Sequence, residues 1–300
     1  MINFLRYRTV SYSVLAFIIL SFTGLYIYRG FNYSVDFTGG TQVVVRFSKP
    51  VSLGQVRDLL RQEDWKGVVV SDFDKNEARI RIQDVSVESI GLGEKIKNIL
   101  QKGLPDTGVE LMQSEQVSSS IGKTLVWNAL KAVFFALIAM LIYIFIRFRF
   151  SFAVGAIVAL MHDVLAVLMV FLLLNWEISL DAIAALLIIV GYSVNDTIVI
   201  FARIREHLQE AGKYESLEHI VNQAINSTLR RTLLTSFSTL LAVASLLIIG
   251  GETLRSLSFA LLLGIIFGTY SSIFIASPIM LMLYKGKKHG EKGEPVVVSQ

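Results

Sequence analysis

Apolar residues run almost unbroken for membrane-spanning lengths six times along the chain, at 9–28, 125–146, 152–174, 180–201, 232–249 and 254–284. A bilayer core takes about 20 helical residues, so each run predicts a transmembrane helix. Between the first and second runs the pattern changes to soluble periods. Residues 43–47 suit a strand. Ser52-x-x-Gln55 reads as a capping box, with Val56, Leu59 and Leu60 on one face of the helix it opens. Residues 68–73 suit a second strand, Asp74-Lys75-Asn76 a turn, and Ala78-Arg79-Ile80-Arg81-Ile82 a third strand alternating at period two. Leu92, Ile96, Ile99 and Leu100 mark a second amphipathic helix that stops near Gly103 and Pro105. Val109, Leu111 and Val117 fall on alternate positions of a last strand. The order β-α-β-β-α-β predicts a ferredoxin-like, split-βαβ domain.

The fold expected is therefore a polytopic α-helical membrane protein of six transmembrane helices carrying one extracytoplasmic α+β domain. Composition agrees: mean hydropathy is +0.59, and only 17% of residues are charged where a soluble domain carries about 25%. Four segments are expected. Residues 1–29 hold the N-terminal cytoplasmic end and first transmembrane helix, and 30–122 the extracytoplasmic domain. Residues 123–284 hold a five-helix bundle with a cytoplasmic amphipathic helix at 203–228, and 285–300 a disordered cytoplasmic tail. The amphipathic stripe is Leu217, Ile220, Val221, Ala224 and Ile225, expected along the inner membrane face. The first apolar run is too long for a signal peptide and reads as an anchor.

Charge placement sets the orientation. Arg6 and Arg8, Arg147 and Arg149, Arg203, Arg205, Lys213, Arg230 and Arg231, and Lys285, Lys287 and Lys288 all flank one side. The opposite short loops hold Glu177, Asp181, Glu252 and one cation, Arg255. The positive-inside rule then puts both termini in the cytoplasm. The formal excess of +4 is accounted for by topology, which argues against a nucleic-acid partner. Cysteine is absent, which excludes a disulfide framework, a thiolate nucleophile and a sulfur metal site. The four histidines show no metal-binding spacing. Neither a P-loop nor a G-x-S-x-G elbow is present.

The candidate chemistry lies inside the membrane. Asp196 interrupts the fourth apolar run, where a carboxylate costs ~2.5–3.5 kcal/mol on insertion scales. Tyr192, Asn195, Asp196 and Val199 share one helix face. Arg231 opens the fifth run, followed by a hydroxyl face of Thr232, Thr235, Ser236, Ser238 and Thr239. The fourth and fifth helices are antiparallel, and Asp196 lies about 7 Å from the inner end, so Arg231 is expected to approach it. His162 and Asp163 lie about 16 Å into the third helix, near mid-membrane. As neighbours they diverge by about 100°, so at most one faces Asp196. Desolvation disfavours a charge on Asp196 and a nearby guanidinium favours it, a competition suited to reversible protonation. The bland alternatives are an Arg231 that merely anchors the helix, a satisfied core His162 and a structural Asp163. Gly264-x-x-x-Gly268 reads as close helix packing. Asp36-Phe37-Thr38-Gly39-Gly40 reads, by itself, as a turn into a strand.

Taken in order, these pieces resemble the SecF branch of the SecD/SecF family of protein-export membrane proteins, within the RND superfamily. The resemblance spans nearly the whole chain. It rests on Val35-Asp36-Phe37-Thr38-Gly39-Gly40, Arg147-Phe148, His162-Asp163-Val164, and Gly191-Tyr192-Ser193-Val194-Asn195-Asp196-Thr197-Ile198-Val199. Arg203-Ile204-Arg205-Glu206, and Arg231-Thr232 with Thr235-Ser236, follow in place. The resemblance implies one half of a twelve-helix, pseudo-two-fold assembly in the bacterial inner membrane, with SecD as the separate other half. It implies association with the SecYEG channel, with YajC, and with unfolded preprotein pushed by the SecA ATPase. Protons are the coupling ion and no other cofactor is implied. In the family the position matching Asp196 is the proton-carrying carboxylate, and that matching Arg231 its functional neighbour. Asp163, His162 and Thr235 join the proposed pathway. Asn195 stands where other RND transporters often place a second acid, which leaves one titrating carboxylate there. The expected function is proton-driven assistance of export rather than an enzymatic reaction. The alternative is an RND-type exporter half for small molecules or lipids.

Overall fold

Alternation at period two in the extramembrane segment is realised as a four-stranded antiparallel sheet. The structure, a computed structural model, describes residues 2–284 except 64, 66, 75, 83–90, 118 and 211–214. The first long helix, α1 (Arg8–Arg29), leads through β1 (Asn32–Tyr33) and the single turn α2 (Val35–Thr38) into β2 (Gly40–Phe47). Then come α3 (Leu53–Arg61), β3 (Val69–Asp74), β4 (Glu77–Ile82), α4 (Leu92–Gly103) and β5 (Val109–Val117). The sheet order is β3-β4-β2-β5, the ferredoxin-like arrangement expected. Val43, Val45, Phe47, Ile80 and Ile82 meet Val56, Leu60, Ile96 and Leu100 of the two helices in one core. Ser52 does cap α3, accepting the Gly54 N–H at 3.3 Å. Glycine is required where α2 turns into β2, because Gly39 and Gly40 hold φ of +74° and +128°.

Six helices among the described residues are long and apolar enough to cross a membrane. After α1 these are α5 (Ser119–Arg147), α6 (Phe150–Leu174), α7 (Leu180–Glu210), α8 (Leu217–Ile249) and α9 (Gly251–Ser271). A two-residue strand, β6 (Glu177–Ile178), lies between α6 and α7. The last span continues from α9 through a wide turn, Ser272–Ala276, into α10 (Ser277–Leu283). Pro278 lacks the N–H that a regular α-helix would use, and the turn next to it is widened into π geometry.

One expectation is corrected. Among the described residues of 203–228 there is no separate amphipathic helix. Arg203 to Glu210 continue α7, and the Leu217 stripe is the first third of α8. The sequence from Leu217 to Ile249 contains neither Gly nor Pro, so nothing breaks the helix, and Ser216 caps it by accepting the His219 N–H. The stripe does not lie along a membrane surface. Val221, Ala224 and Ile225 are buried in the bundle core with Phe4, Phe201 and Ile204, and Ile220 is buried beside them in sequence. The expected tail at 285–300, with Lys75 and Lys213, lies outside the described residues.

The α7–α9 seam is as close as the glycine spacing implied. A Cβ at Gly264 would fall inside the Ile189 side chain, and one at Gly268 would lie 3.0 Å from the Ser193 Cβ. A Gly264→Val change therefore overpacks the seam and should cost about 1–3 kcal/mol. Thermal unfolding in detergent should show a lowered midpoint. Gly191→Ala is the control, since a Cβ there meets nothing within 4 Å, and the midpoint should not fall.

Candidate functional site

Two buried acidic residues, Asp163 and Asp196, lie well inside the bundle helices among the described residues, and the structure answers them differently. Asp163 is wholly buried on α6. Its Oδ1 lies 3.0 Å from His162 Nδ1, and its Oδ2 accepts the hydroxyls of Ser193 at 2.5 Å and Ser271 at 2.9 Å. The carboxylate thus ties α6 to α7 and α9. His162 is equally buried, its ring set against Phe267 and Tyr270, and its Nε2 has no partner among the described residues. The Asp163 cluster sits where the wide turn after Ser271 begins, a geometry often found at functional sites.

Asp196 is 5% exposed on α7. Its single hydrogen-bond donor among the described residues is Ser236 of α8, whose Oγ lies 3.4 Å from Oδ2. Ser236 in turn accepts the Thr269 hydroxyl of α9 at 2.7 Å. A thin chain of hydroxyls therefore crosses α7, α8 and α9. Ser193 stands one turn from Asp196 on the same helix, so the two acidic clusters share α7 and α9 without touching.

Three sequence expectations change here. Neither His162 nor Asp163 contacts Asp196; they bind each other, because both side chains turn inward around the α6 backbone and Ser193 and Ser271 close off the far side. Arg231 makes no ion pair with Asp196 within 4.0 Å. About 140° of helix rotation separates Arg231 from Ser236, so Arg231 points out of the bundle when Ser236 points in. Arg231 precedes Ser236 by five residues, about 7.5 Å along the axis, a span that the arginine stem matches. Asn195 and Thr235 are exposed rather than turned toward Asp196. The Thr235 hydroxyl donates to backbone, to the carbonyls of Arg231 and Thr232. Tyr192 bridges the two helices, donating to Thr239 Oγ1 at 3.3 Å. The result is a polar stripe of Asn195, Arg231, Thr235 and Ser238 on the outside of the bundle, alongside Asp196. Sequence reasoning missed Thr269 and Ser271; the hydroxyl cluster Thr269, Ser271 and Ser272 inside an apolar run was the available signal.

The motif after α1 forms a joint. Asp36 Oδ2 accepts the Ser34 hydroxyl at 2.8 Å and the Leu180 N–H, at the first residue of α7, at 3.2 Å. Phe37 is buried against Val167, Phe171, Ile178 and Ala182. A Cβ at Gly122, near the start of α5, would meet the Phe37 carbonyl oxygen at 2.6 Å. The Thr38 hydroxyl is held locally, donating to the Ser34 carbonyl at 3.1 Å.

Comparison with known proteins follows the same lines. A family model described as protein export membrane protein SecD/SecF, C-terminal, matches residues 96–286, and one for the SecD/SecF GG motif matches 29–51. A protein translocase subunit SecF of Thermodesulfovibrio yellowstonii is 40% identical over 282 residues, 93% of each chain. The SecF of Helicobacter pylori is 37% identical, covering 94% of this chain and 87% of its own. That of Pseudomonas aeruginosa is 37% identical over 94% of this chain and 91% of its own. Among solved structures, SecDF from Thermus thermophilus superposes with a TM-score of 0.85 at 34% identity. A SecDF described as the super-membrane-facing form gives 0.68 at 35% identity. Each covers 94% of this chain, which spans 38% of the length of either SecDF.

The two carboxylates should separate in a stability measurement. Asp163→Ala leaves two buried hydroxyls and the His162 ring without their acceptor, which should cost about 1–3 kcal/mol. Asp196→Asn keeps an acceptor for Ser236 and should leave the unfolding midpoint of the purified chain unchanged. Equal losses in thermal melts would contradict the division drawn here.

Proposed function

The chain belongs to the SecD/SecF family of protein-export membrane proteins, and from that premise we propose a SecF-type role. With SecD, it uses the proton-motive force to assist preprotein export across the bacterial inner membrane. The observation that carries the proton part of this reading is Asp196: a nearly buried carboxylate with one hydroxyl donor, at the edge of an exposed polar stripe. Lipid tails give such a stripe no hydrogen bonds, so a partner's helix must cover it. The solved relatives are titled SecDF, and SecD, the other partner in that name, fits that place.

In the proposed cycle Asp196 takes up and releases the proton, with Arg231 swinging toward the ionised form and away from the neutral one. Asn195 and Thr235 line the route between this chain and SecD. Asp163 and His162 form a second polar station, connected through Ser193 and Ser271 to the same helices. A charge moving across the membrane potential releases ~2.3 kcal/mol per 100 mV, enough to bias a two-state packing of α7 against α8. The termini face the cytoplasm in this reading, and the ferredoxin-like domain faces outward, where it meets the emerging chain. SecYEG, SecA and YajC are the remaining partners. The role is transport, with no reaction chemistry assigned. The exporter alternative has less support, since the relatives carry translocase names over nearly the full length of this chain.

Reconstituted with SecD and the channel, Asp196→Asn should abolish gradient-stimulated preprotein export while the complex still assembles. Full stimulation would refute the mechanism. The chain has no native cysteine, so Asn195→Cys gives a clean probe of the partner face. It should form a disulfide with a cysteine scanned through SecD's apolar helices, and failure at every position would remove SecD from that face.

A further inference from the structure

The bundle and the ferredoxin-like domain meet around one carboxylate that the proton site does not use. Glu177 stands on β6, in the connection between α6 and α7. Its Oε1 lies 3.0 Å from Arg81 Nη1 and its Oε2 3.5 Å from Arg79 Nη1. Both arginines stand on β4. Their neighbours Ala78, Ile80 and Ile82 fill the domain core, so strand alternation presents the two guanidinium groups to the bundle. All three charged side chains are largely shielded, between 12% and 22% exposed. Arg81 Nη1 also donates to the Tyr33 carbonyl at 3.2 Å. Around this contact β1 pairs in parallel with β6, and the Ser34 N–H donates to the Ile178 carbonyl at 2.9 Å. Two residues beyond β6 begins α7, held by Asp36 and carrying Asp196 about 24 Å further along.

The joint has two unlike halves. On one side Phe37 is packed in hydrocarbon and against the start of α5, an arrangement that resists separation. On the other side the sheet and the bundle are parted by a polar cavity of about 260 Å³. Gln42, Arg79, Gln113, Glu115, Asp181 and Ser256 line it. Ion pairs beside a polar cavity large enough for water can exchange partners at small cost, whereas those in a dry core cannot. Glu115 and Asp181 offer Arg79 other acceptors across the same cavity. The fold also matches the two SecDF structures unequally, at equal coverage and near-equal identity.

We propose that the contact of Glu177 with Arg79 and Arg81 is a latch, and that through it movement of α7 reorients the ferredoxin-like domain about the Phe37 pivot. This rests on Asp196 as the proton carrier, and the test separates the two ideas. Hydrogen–deuterium exchange on the nanodisc-embedded complex with SecD reads the latch directly. Glu177→Gln should speed exchange at residues 32–36 and 177–181 by about tenfold or more. The same variant should lose gradient-stimulated export while proton flux through Asp196 persists. Arg79→Gln with Arg81→Gln empties the other side of the contact and should give both effects. Arg46→Gln, which breaks a pair internal to the domain with Glu77, should give neither.

Unchanged exchange in both latch variants overturns the proposal whatever export does. Faster exchange with full gradient stimulation overturns the coupling role. If Asp196→Asn keeps its stimulation, the proton reading fails and the latch falls with it as a coupling device. If only the latch variants keep it, the proton reading stands alone.

Discussion

A carboxylate inside hydrocarbon must be given hydrogen bonds or a proton, and this bundle is arranged around that demand. Asp163 receives contacts on both oxygens from three side chains of its own chain. Asp196, three residues beyond Ser193 on α7, receives one hydroxyl at 3.4 Å. The first arrangement holds helices together. The second leaves a group whose charge state can change without dismantling the fold. On the proposed reading, that difference makes Asp196 rather than Asp163 the carrier of the mobile proton and gives the polar stripe beside it a reason to face outward.

The same logic links the membrane to the domain above it. One helix, α7, carries Asp196, contributes Ser193 to the Asp163 cluster, and begins at the Asp36 carboxylate. Its middle is packed without slack against α9 at Gly264 and Gly268. On the proposed reading, a rearrangement near Asp196 is passed along α7 rather than absorbed by loose packing at this seam. At the far end α7 meets an apolar contact at Phe37 and a charged contact beside a polar cavity, two kinds of attachment with different tolerance for motion.

Local patterns were legible in the sequence where local physics decides. Alternation at Ala78, Ile80 and Ile82, with the helical spacing of Val56, Leu60, Ile96 and Leu100, was enough to give the sheet order. The close approach at Gly264 was readable from its spacing. Tertiary facts were not. Hydropathy sees the membrane-crossing part of α7 and α8 but not their charged continuations, which stay helical because no Gly or Pro interrupts them and a serine caps α8. The angular offset between Arg231 and Ser236 was implicit in the spacing, yet which of the two faces inward depends on the packing of α9 and Thr269. The hydroxyl partners of Asp163 come from α7 and α9, 30 and 108 residues away; hydroxyls inside an apolar run hint at Ser271, but no local pattern pairs either serine with Asp163.

The most direct test of the central claim is difference infrared spectroscopy of the protonated-carboxyl stretch, in the complex with SecD, across a pH titration. The account predicts a band that appears on acidification and disappears on alkalinisation, present in the native chain and absent from Asp196→Asn. A band that survives that substitution, or none that responds to pH, would contradict it.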